Sequence, residues 1–322
     1  MRAIQITQTG GPEVLALREL PTPTPGPGEA LIQIEACGVN FIDVYQREGR
    51  YAVPLPFIPG QEAAGMVIAL GPDVTAVKVG DRVAWCHVMG AYAEYAVAPI
   101  SKLIAIPDGI STRQAAAAML QGMTAHYLAH STYAIQRGDD VLIHAGAGGV
   151  GLLLIQMAKH RGARVLTTVS TEEKAALARK AGADEVILYT SEDFVARVRD
   201  LTGGRGLPVV YDSVGKTTFD GSLACLRPRG VMVLYGGSSG AVPPFDLIQL
   251  STKGSLFVTR PTLKDYTATR QDLELRAGDV LRWVVEGNLK LRLEHSYSLA
   301  EAEQAHRDLE ARKTTGKVLL IP

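Results

Sequence analysis

The eight residues "HAGAGGVG", His144 to Gly151, restrict the fold of this chain more than any other stretch. They begin at the end of the apolar run "DVLIHAG" and lead into the helical segment "VGLLLIQMAKHR". Gly146, Gly148 and Gly151 satisfy G-x-G-x-x-G, a pattern that is informative only between a strand and a helix, which is where this one falls. In that setting Gly146 permits the tight turn, Gly148 lets the backbone approach a pyrophosphate, and Gly151 allows close helix-to-strand packing. The helix N-terminus then offers N–H groups and a partial positive charge to the phosphates. The alternative is a βα turn with no ligand, but three glycines cost stability that such a turn does not compensate. Gly146, Ala147, Gly148, Gly149, Val150 and Gly151 are therefore predicted to bind a nucleotide.

The flanking sequence repeats the same unit. "ARVLTTVS" precedes the helix "TEEKAALARKA", which stops at Gly182; "EVILY" precedes a helix around "EDFVARVRDLTG". "PVVYDSV", "GVMVLYGG" and "SLFVTR" supply further apolar strands. Alternating strands and helices with Val-, Ile- and Leu-rich strands predict a parallel sheet covered on both faces. Residues 1 to about 120 read differently: "EALIQIEACGV", "AAGMVIALG" and "GDRVAWC" are strand-like runs between Gly and Pro. "PTPTPGPGE" reads as a stiff surface crossing between two strands. At 322 residues, two domains are expected. The last sixty residues hold a helix ("DVLRWVVEG"), a short strand ("EHSYSL"), a second helix and the strand "KVLLIP", β-content that returns the chain to the first domain.

Which dinucleotide binds depends on the tip of the second strand of the repeating units. An NAD site places Asp or Glu there for the ribose 2′-OH. This strand ends "TTVS", and Ser170 and Lys174 offer a hydroxyl and a cation suited to a 2′-phosphate, so NADP(H) is favoured. Glu172 and Glu173 lie just beyond and leave NAD open. Ser170-x-x-Glu173 also reads as a capping box for the next helix, a role compatible with phosphate binding.

Lys plus Arg and Asp plus Glu balance at 33 each, which predicts neither a nucleic-acid surface nor a membrane anchor. The N-terminus has no signal-peptide core, and "VGLLLIQMA" is too short to span a bilayer. Three scattered cysteines, Cys37, Cys86 and Cys225, predict no disulfide framework; they read as buried thiols of a cytoplasmic protein. His144 and His87 are candidates for lining the cofactor cleft, with packing the preferred role for each.

In the order "GVNFIDVYQREGRY", "PFIPGQEAAGMV", "GDRVA", "QGMTAHYL", "HAGAGGVG", "VTRPTL", "TGKVLLIP", the chain resembles the medium-chain dehydrogenase/reductase superfamily over essentially its whole length. The most similar branch is the zeta-crystallin-like NADPH-dependent quinone oxidoreductases. The resemblance implies an α/β protein with a GroES-like β domain at 1–123, completed by 263–322, and a doubly wound parallel-sheet Rossmann domain at 124–262. Zinc members carry Cys in "GxCHxD" and His in "GHE"; here Asn40 and Gln61 replace them, neutral amides that are poor zinc ligands. No C-x₂-C exists for a structural zinc either, so no metal is expected.

The resemblance also implies a cleft between the domains. Asn40, Asp43, Tyr45 and Tyr51 would line its N-terminal wall, Gln121 and Thr124 would lie beside the nicotinamide, and Arg260 would point inward. Tyr189 and Arg312 would join Ser170 and Lys174 around the adenosine phosphate. Asp43 has a plainer reading as a turn residue, Tyr51 as packing and Arg312 as part of a solvated basic run. Two departures stand out: Gly237 where the family often has Asn, and Ser170 where it commonly has Gly. The expected reaction is reduction of quinones by NADPH, which needs no metal Lewis acid. A reductase of enals or enones is the second reading, and a non-catalytic NADPH-binding protein of structural or nucleic-acid-contacting type the third; charge balance disfavours nucleic acid. A homodimer is expected, because "SLFVTR" as the last strand of the sheet would leave an apolar edge open to pairing.

Overall fold

The computed structural model describes all 322 residues, which divide into two compact units: Met1–Met123 with Thr267–Pro322, and Thr124–Tyr266.

The first unit opens with a small antiparallel ladder of β1 (Arg2–Gln5) and β2 (Ala16–Glu19). Its main sheet begins with the long β3 (Glu29–Val39), which runs into the short helix α1 (Phe41–Arg47). It continues through β4 (Glu62–Leu70), β5 (Arg82–Cys86), β6 (Tyr95–Pro99) and β7 (Ile104–Ala105). β4 pairs with β3 along most of its length, Ala30 opposite Leu70 through Cys37 opposite Ala63. The alternation of "EALIQIEACGV" sends Ile32 and Ile34 into a core shared with Val67, Val83, Trp85 and Tyr92. Burying side chains of this size stabilises by about 1.5–3 kcal/mol each, before the entropy of ordering them. The unit's first passage closes within α2 (Thr112–Tyr127), at Met123; the helix's alanines at 115–118 are fully buried and allow close packing.

The second unit is a six-stranded parallel sheet. Its strands are β8 (Asp140–His144), β9 (Arg164–Val169), β10 (Glu185–Leu188), β11 (Leu207–Asp212), β12 (Leu226–Leu234) and β13 (Phe257–Thr259). The helices between them are α3 (Gly149–His160), α4 (Glu172–Lys180), α5 (Phe194–Leu201), α6 (Phe219–Ala224) and α7 (Ile248–Thr252). The spatial order is β10-β9-β8-β11-β12-β13, the doubly wound dinucleotide-binding order, which reverses direction beside β8. β11 is buried at every residue, as a central parallel strand requires.

After α8 (Leu263–Tyr266) the chain re-enters the first unit through α9 (Arg270–Val285), then β14 (His295–Ser298), α10 (Ala302–Glu310) and β15 (Val318–Ile321). β15 lies between β14 and β3, with Leu320 opposite Cys37. β3 therefore shares its second edge between β6 at residues 29–33 and β15 at 37–39. The sequence suggested a helix only from "DVLRWVVEG". The observed helix starts two turns earlier, because Thr269 caps it, its side chain accepting from Asp272 N. Gly278, which interrupts the sequence pattern, faces open space and leaves the helix intact.

Candidate functional site

The glycine turn lies at the C-terminal end of β8, beside the point where strand order reverses. Gly148 is the N-cap of α3 and has no side chain to cap with, so the first-turn N–H groups at Gly149, Val150 and Gly151 face outward from the helix end. A Cβ on Gly148 would meet only the Ala145 carbonyl oxygen, at 3.2 Å. Gly151 is different: a Cβ there would collide with the Ala145 carbonyl, so close packing requires glycine. The tight turn corrects the sequence reading of Gly146. The left-handed residue is Ala145, with φ 56°, whereas Gly146 is required because a Cβ would strike the Thr167 side chain on β9. Ala147 is buried within the turn.

At the tip of β9, Lys174 Nζ donates to Ser170 Oγ at 3.3 Å, and Thr190 donates to the Ser170 carbonyl at 3.1 Å. The helix cap is Thr171, whose hydroxyl accepts from Lys174 N; Ser170 is not the cap, contrary to the capping-box expectation. Adjacent hydroxyls made the two positions equivalent by sequence; the helix begins at Glu172, so the residue just before it, the extended Thr171, is the cap. Glu172 pairs along α4 with Arg179 at 3.5 Å, and a hydrogen bond with Thr171 lowers the Glu173 pKa. Both acids are thus engaged with their own helix. Tyr189, at the end of β10, is partly exposed nearby in the strand order, its N–H donating to the Val169 carbonyl. Arg260, just past β13, donates to the Leu234 carbonyl at 3.0 Å. Arg312 belongs to the other unit, in a left-handed turn at φ 59° after α10.

The first unit gathers a second set of predicted residues. Asn40 caps α1 from the end of β3, and its side chain is saturated. Nδ2 donates to Glu62 Oε1 at 2.7 Å and to the Gly38 carbonyl at 3.4 Å; Oδ1 accepts from Lys317 Nζ at 2.9 Å and from Gln121 Nε2 at 3.2 Å. Asp43 has no exposed surface. Its Oδ2 accepts from Asn40 N at 2.8 Å and from the Tyr92 hydroxyl at 3.0 Å. Burial raises its pKa to about 6 against the opposing pull of those bonds and of Lys317. Tyr45 is buried and packs edge-on to Tyr51 with ring centres 5.5 Å apart, while Tyr51 is 43% exposed. Thr124, buried, is the first residue of the second unit.

Glu62 and Lys317 were not among the sequence candidates. The signal available was a lone lysine before an all-apolar strand, "GKVLLIP". His144 is a packing residue: it bonds Thr168 at 2.8 Å and Ser222 at 3.0 Å and stacks edge-on against Phe194. His87 bonds Gln61 Oε1 at 3.2 Å. The three cysteines are free and buried, and burial raises the Cys86 and Cys225 thiols to about 12, far from reactivity.

A doubly wound parallel sheet with a glycine turn at its reversal point, joined in one chain to a β unit carrying this polar cluster, defines the medium-chain dehydrogenase/reductase class. Two family models match: the alcohol dehydrogenase GroES-like domain at residues 26–108 and zinc-binding dehydrogenase at 149–273. The chain is 47% identical to a quinone oxidoreductase of Pseudomonas aeruginosa, covering 100% of this chain and 99% of that protein. A 2-haloacrylate reductase of a Burkholderia species is 41% identical over 99% of this chain and 98% of its own. The crystal structure of Escherichia coli quinone oxidoreductase complexed with NADPH superposes with a TM-score of 0.98 at 44% identity, covering 100% of each chain. The chain belongs to the quinone oxidoreductase family of the medium-chain dehydrogenases/reductases.

The second family model carries zinc in its name, and the donor set here does not fit that metal. Where zinc members offer a thiolate and an imidazole there are two amides, and the Asn40 oxygen is already held by the Lys317 ammonium. No three His, Cys, Asp or Glu side chains group closely enough to hold a metal. No helix is long and apolar enough to cross a membrane.

Proposed function

We propose that this chain is an NADPH-dependent quinone oxidoreductase that works without zinc. The observation that carries this reading is the amide and ammonium cluster of Asn40, Gln121 and Lys317 in place of a metal-ligand set. Without a Lewis acid, the acceptor must be one whose reduced oxyanion is stable by itself, and a quinone, reduced to an aromatic hydroquinone anion, meets that condition.

The N–H groups of Gly149, Val150 and Gly151 would hold the pyrophosphate, and Ser170, Lys174, Tyr189 and Arg312 the 2′-phosphate; Arg260 also serves the cofactor. Bound NADPH supplies a hydride. Gln121 and Thr124 orient the reacting groups, Tyr45 and Tyr51 form an aromatic wall, and Asn40 and Asp43 hold that part of the β unit in place. The hydroquinone anion takes its proton from water or from the exposed Tyr51.

The 2-haloacrylate reductase relative supports a second reading, reduction of an activated C=C bond, in which the Tyr51 phenol protonates the resulting carbanion. Steady-state oxidation of NADPH with quinones, enones and aldehydes tests both; turnover with enones alone would favour the second. We also propose a cytoplasmic homodimer. β13 pairs with β12 on one side only, and Phe257 and Val258 on it are 60% and 37% exposed, an apolar open edge suited to a second copy.

A further inference from the structure

Lys317 and Glu62 form a buried ion pair, 3% and 0% exposed, that the proposed chemistry does not use. Burial of an ion pair is costly and is recovered only when every remaining polar atom is bonded. Here they are: Glu62 Oε1 meets both Lys317 Nζ and Asn40 Nδ2, and Oε2 accepts from Leu120 N of α2 at 2.6 Å. Gly38 makes room, because a Cβ there would strike Glu62 Oε1 and the end of Lys317. An ammonium can only donate and a carboxylate can only accept, so the pair dictates how the Asn40 amide lies. The oxygen must face Lys317 and the nitrogen Glu62. Gln121 then meets an acceptor in Asn40 Oδ1, which requires its own nitrogen on that side and turns its carbonyl oxygen away from the cluster.

We propose that Lys317 and Glu62 are positioning residues for the reduction: acting through Asn40, they fix the Gln121 amide so that it presents a hydrogen-bond acceptor, and not a donor, to the reacting groups. The inference rests on the functional reading above for what Gln121 meets, though not for the geometry. Burial works against the Lys317 charge and the nearby Asp43 carboxylate works for it, so the cluster is sensitive to the loss of any one member.

The test is a mutant cycle. E62Q/K317M removes both charges at similar volume and leaves neither partner as a lone buried ion. Its melting temperature is expected to stay near that of the wild type, while kcat/KM for 1,4-benzoquinone falls by about tenfold to hundredfold. Adding Q121A to the pair should cause no further loss, because Gln121 acts only when held. Full activity in the pair, or losses that multiply in the triple variant, would overturn the proposal. If the pair does not fold, N40L carries the same test: it leaves Lys317 and Glu62 together but cuts their link to Gln121, and its loss should again not multiply with Q121A. If the wild type reduces no quinone, the functional reading fails separately. The positioning is then read from the crystal structure of E62Q/K317M, or of N40L if the pair does not fold. A Gln121 side chain released from its wild-type rotamer supports it, and an unmoved Gln121 overturns it.

Discussion

Arg47 Nη1 donates to His306 Nδ1 at 3.1 Å and so fixes the tautomer of a histidine with no exposed surface. A guanidinium cannot accept, so the ring hydrogen sits on Nε2. Nε2 donates to the Tyr92 hydroxyl at 3.1 Å, which in turn donates to Asp43. The chain of donors runs one way, from a buried cation to a buried carboxyl.

That direction has a pH signature. Burial, then the Arg47 charge, lowers the His306 pKa from 6.5 to about 3. Between those values the unfolded chain carries a proton that the folded chain refuses, so the His306 contribution to stability is present above about pH 6.5 and is lost as pH falls toward 3. Asp43 runs the other way. Its pKa is raised from 3.8 to about 6, so its burial penalty is relieved as pH falls through that window. The difference in unfolding free energy between wild type and His306→Gln should therefore shift against the wild type by about 1.4 kcal/mol per pH unit on acidification below pH 6. Urea titrations across that range check it; a constant difference would mean His306 is protonated in the fold.

Cofactor choice should depend on the tip of β9. Lys174→Ala removes a cation held beside the Ser170 hydroxyl. NADPH affinity should weaken by about 1.5–3 kcal/mol while NADH affinity changes little. Fluorescence titration with both nucleotides reads the ratio, and equal weakening would move the 2′-phosphate site elsewhere.

Gly151→Ala should destabilise the protein even without ligand. The added Cβ meets the Ala145 backbone, which cannot move without opening the turn between β8 and α3. A cost of about 1–3 kcal/mol is expected, visible as a lowered Tm of the apo protein. Gly148→Ala, whose Cβ would meet a single backbone oxygen at 3.2 Å, should cost the apo protein less than Gly151→Ala and act chiefly on nucleotide affinity.

Prolonged dialysis against a strong chelator should leave both activity and Tm unchanged, since the Lys317 ammonium holds the Asn40 oxygen. Elemental analysis finding one zinc per chain would contradict the argument.

Phe257→Asp with Val258→Lys should yield a monomer near 34.4 kDa by light scattering, where the wild type should give twice that mass. A wild type that is already monomeric would remove β13 as an interface.

What the sequence made legible was local. The glycine turn, the βα repeats and the alternation of β3 each announce themselves within a dozen residues. The misplacements were local too. Which of Ser170 and Thr171 caps the helix depends on where the first turn begins, a matter of one residue, and Ala145 takes a left-handed conformation usually expected of glycine. The polar cluster was legible only in part. Asn40 and Gln121 stood out by departure from, or match to, a motif, but Lys317 reaches Glu62 across 255 residues, and no periodicity encodes such a pairing. The burial of Asp43 was likewise hidden, since "FIDVYQ" gives no sign that Tyr92 will close over it.

β15 separates β14 from β3, yet it follows every other strand of both units along the chain. On the ribosome, the parallel-sheet unit is complete in sequence and free to fold while the β unit still lacks its closing strand. Until "KVLLIP" emerges, β3 has an unfilled edge at Cys37 to Val39, and Glu62 is a buried-to-be carboxylate without its cation. The polar cluster is thus completed only after every other strand of both units has been synthesised, so a chain cut before Lys317 would keep all six strands of the parallel sheet and leave the β unit's own sheet and its buried cluster unfinished.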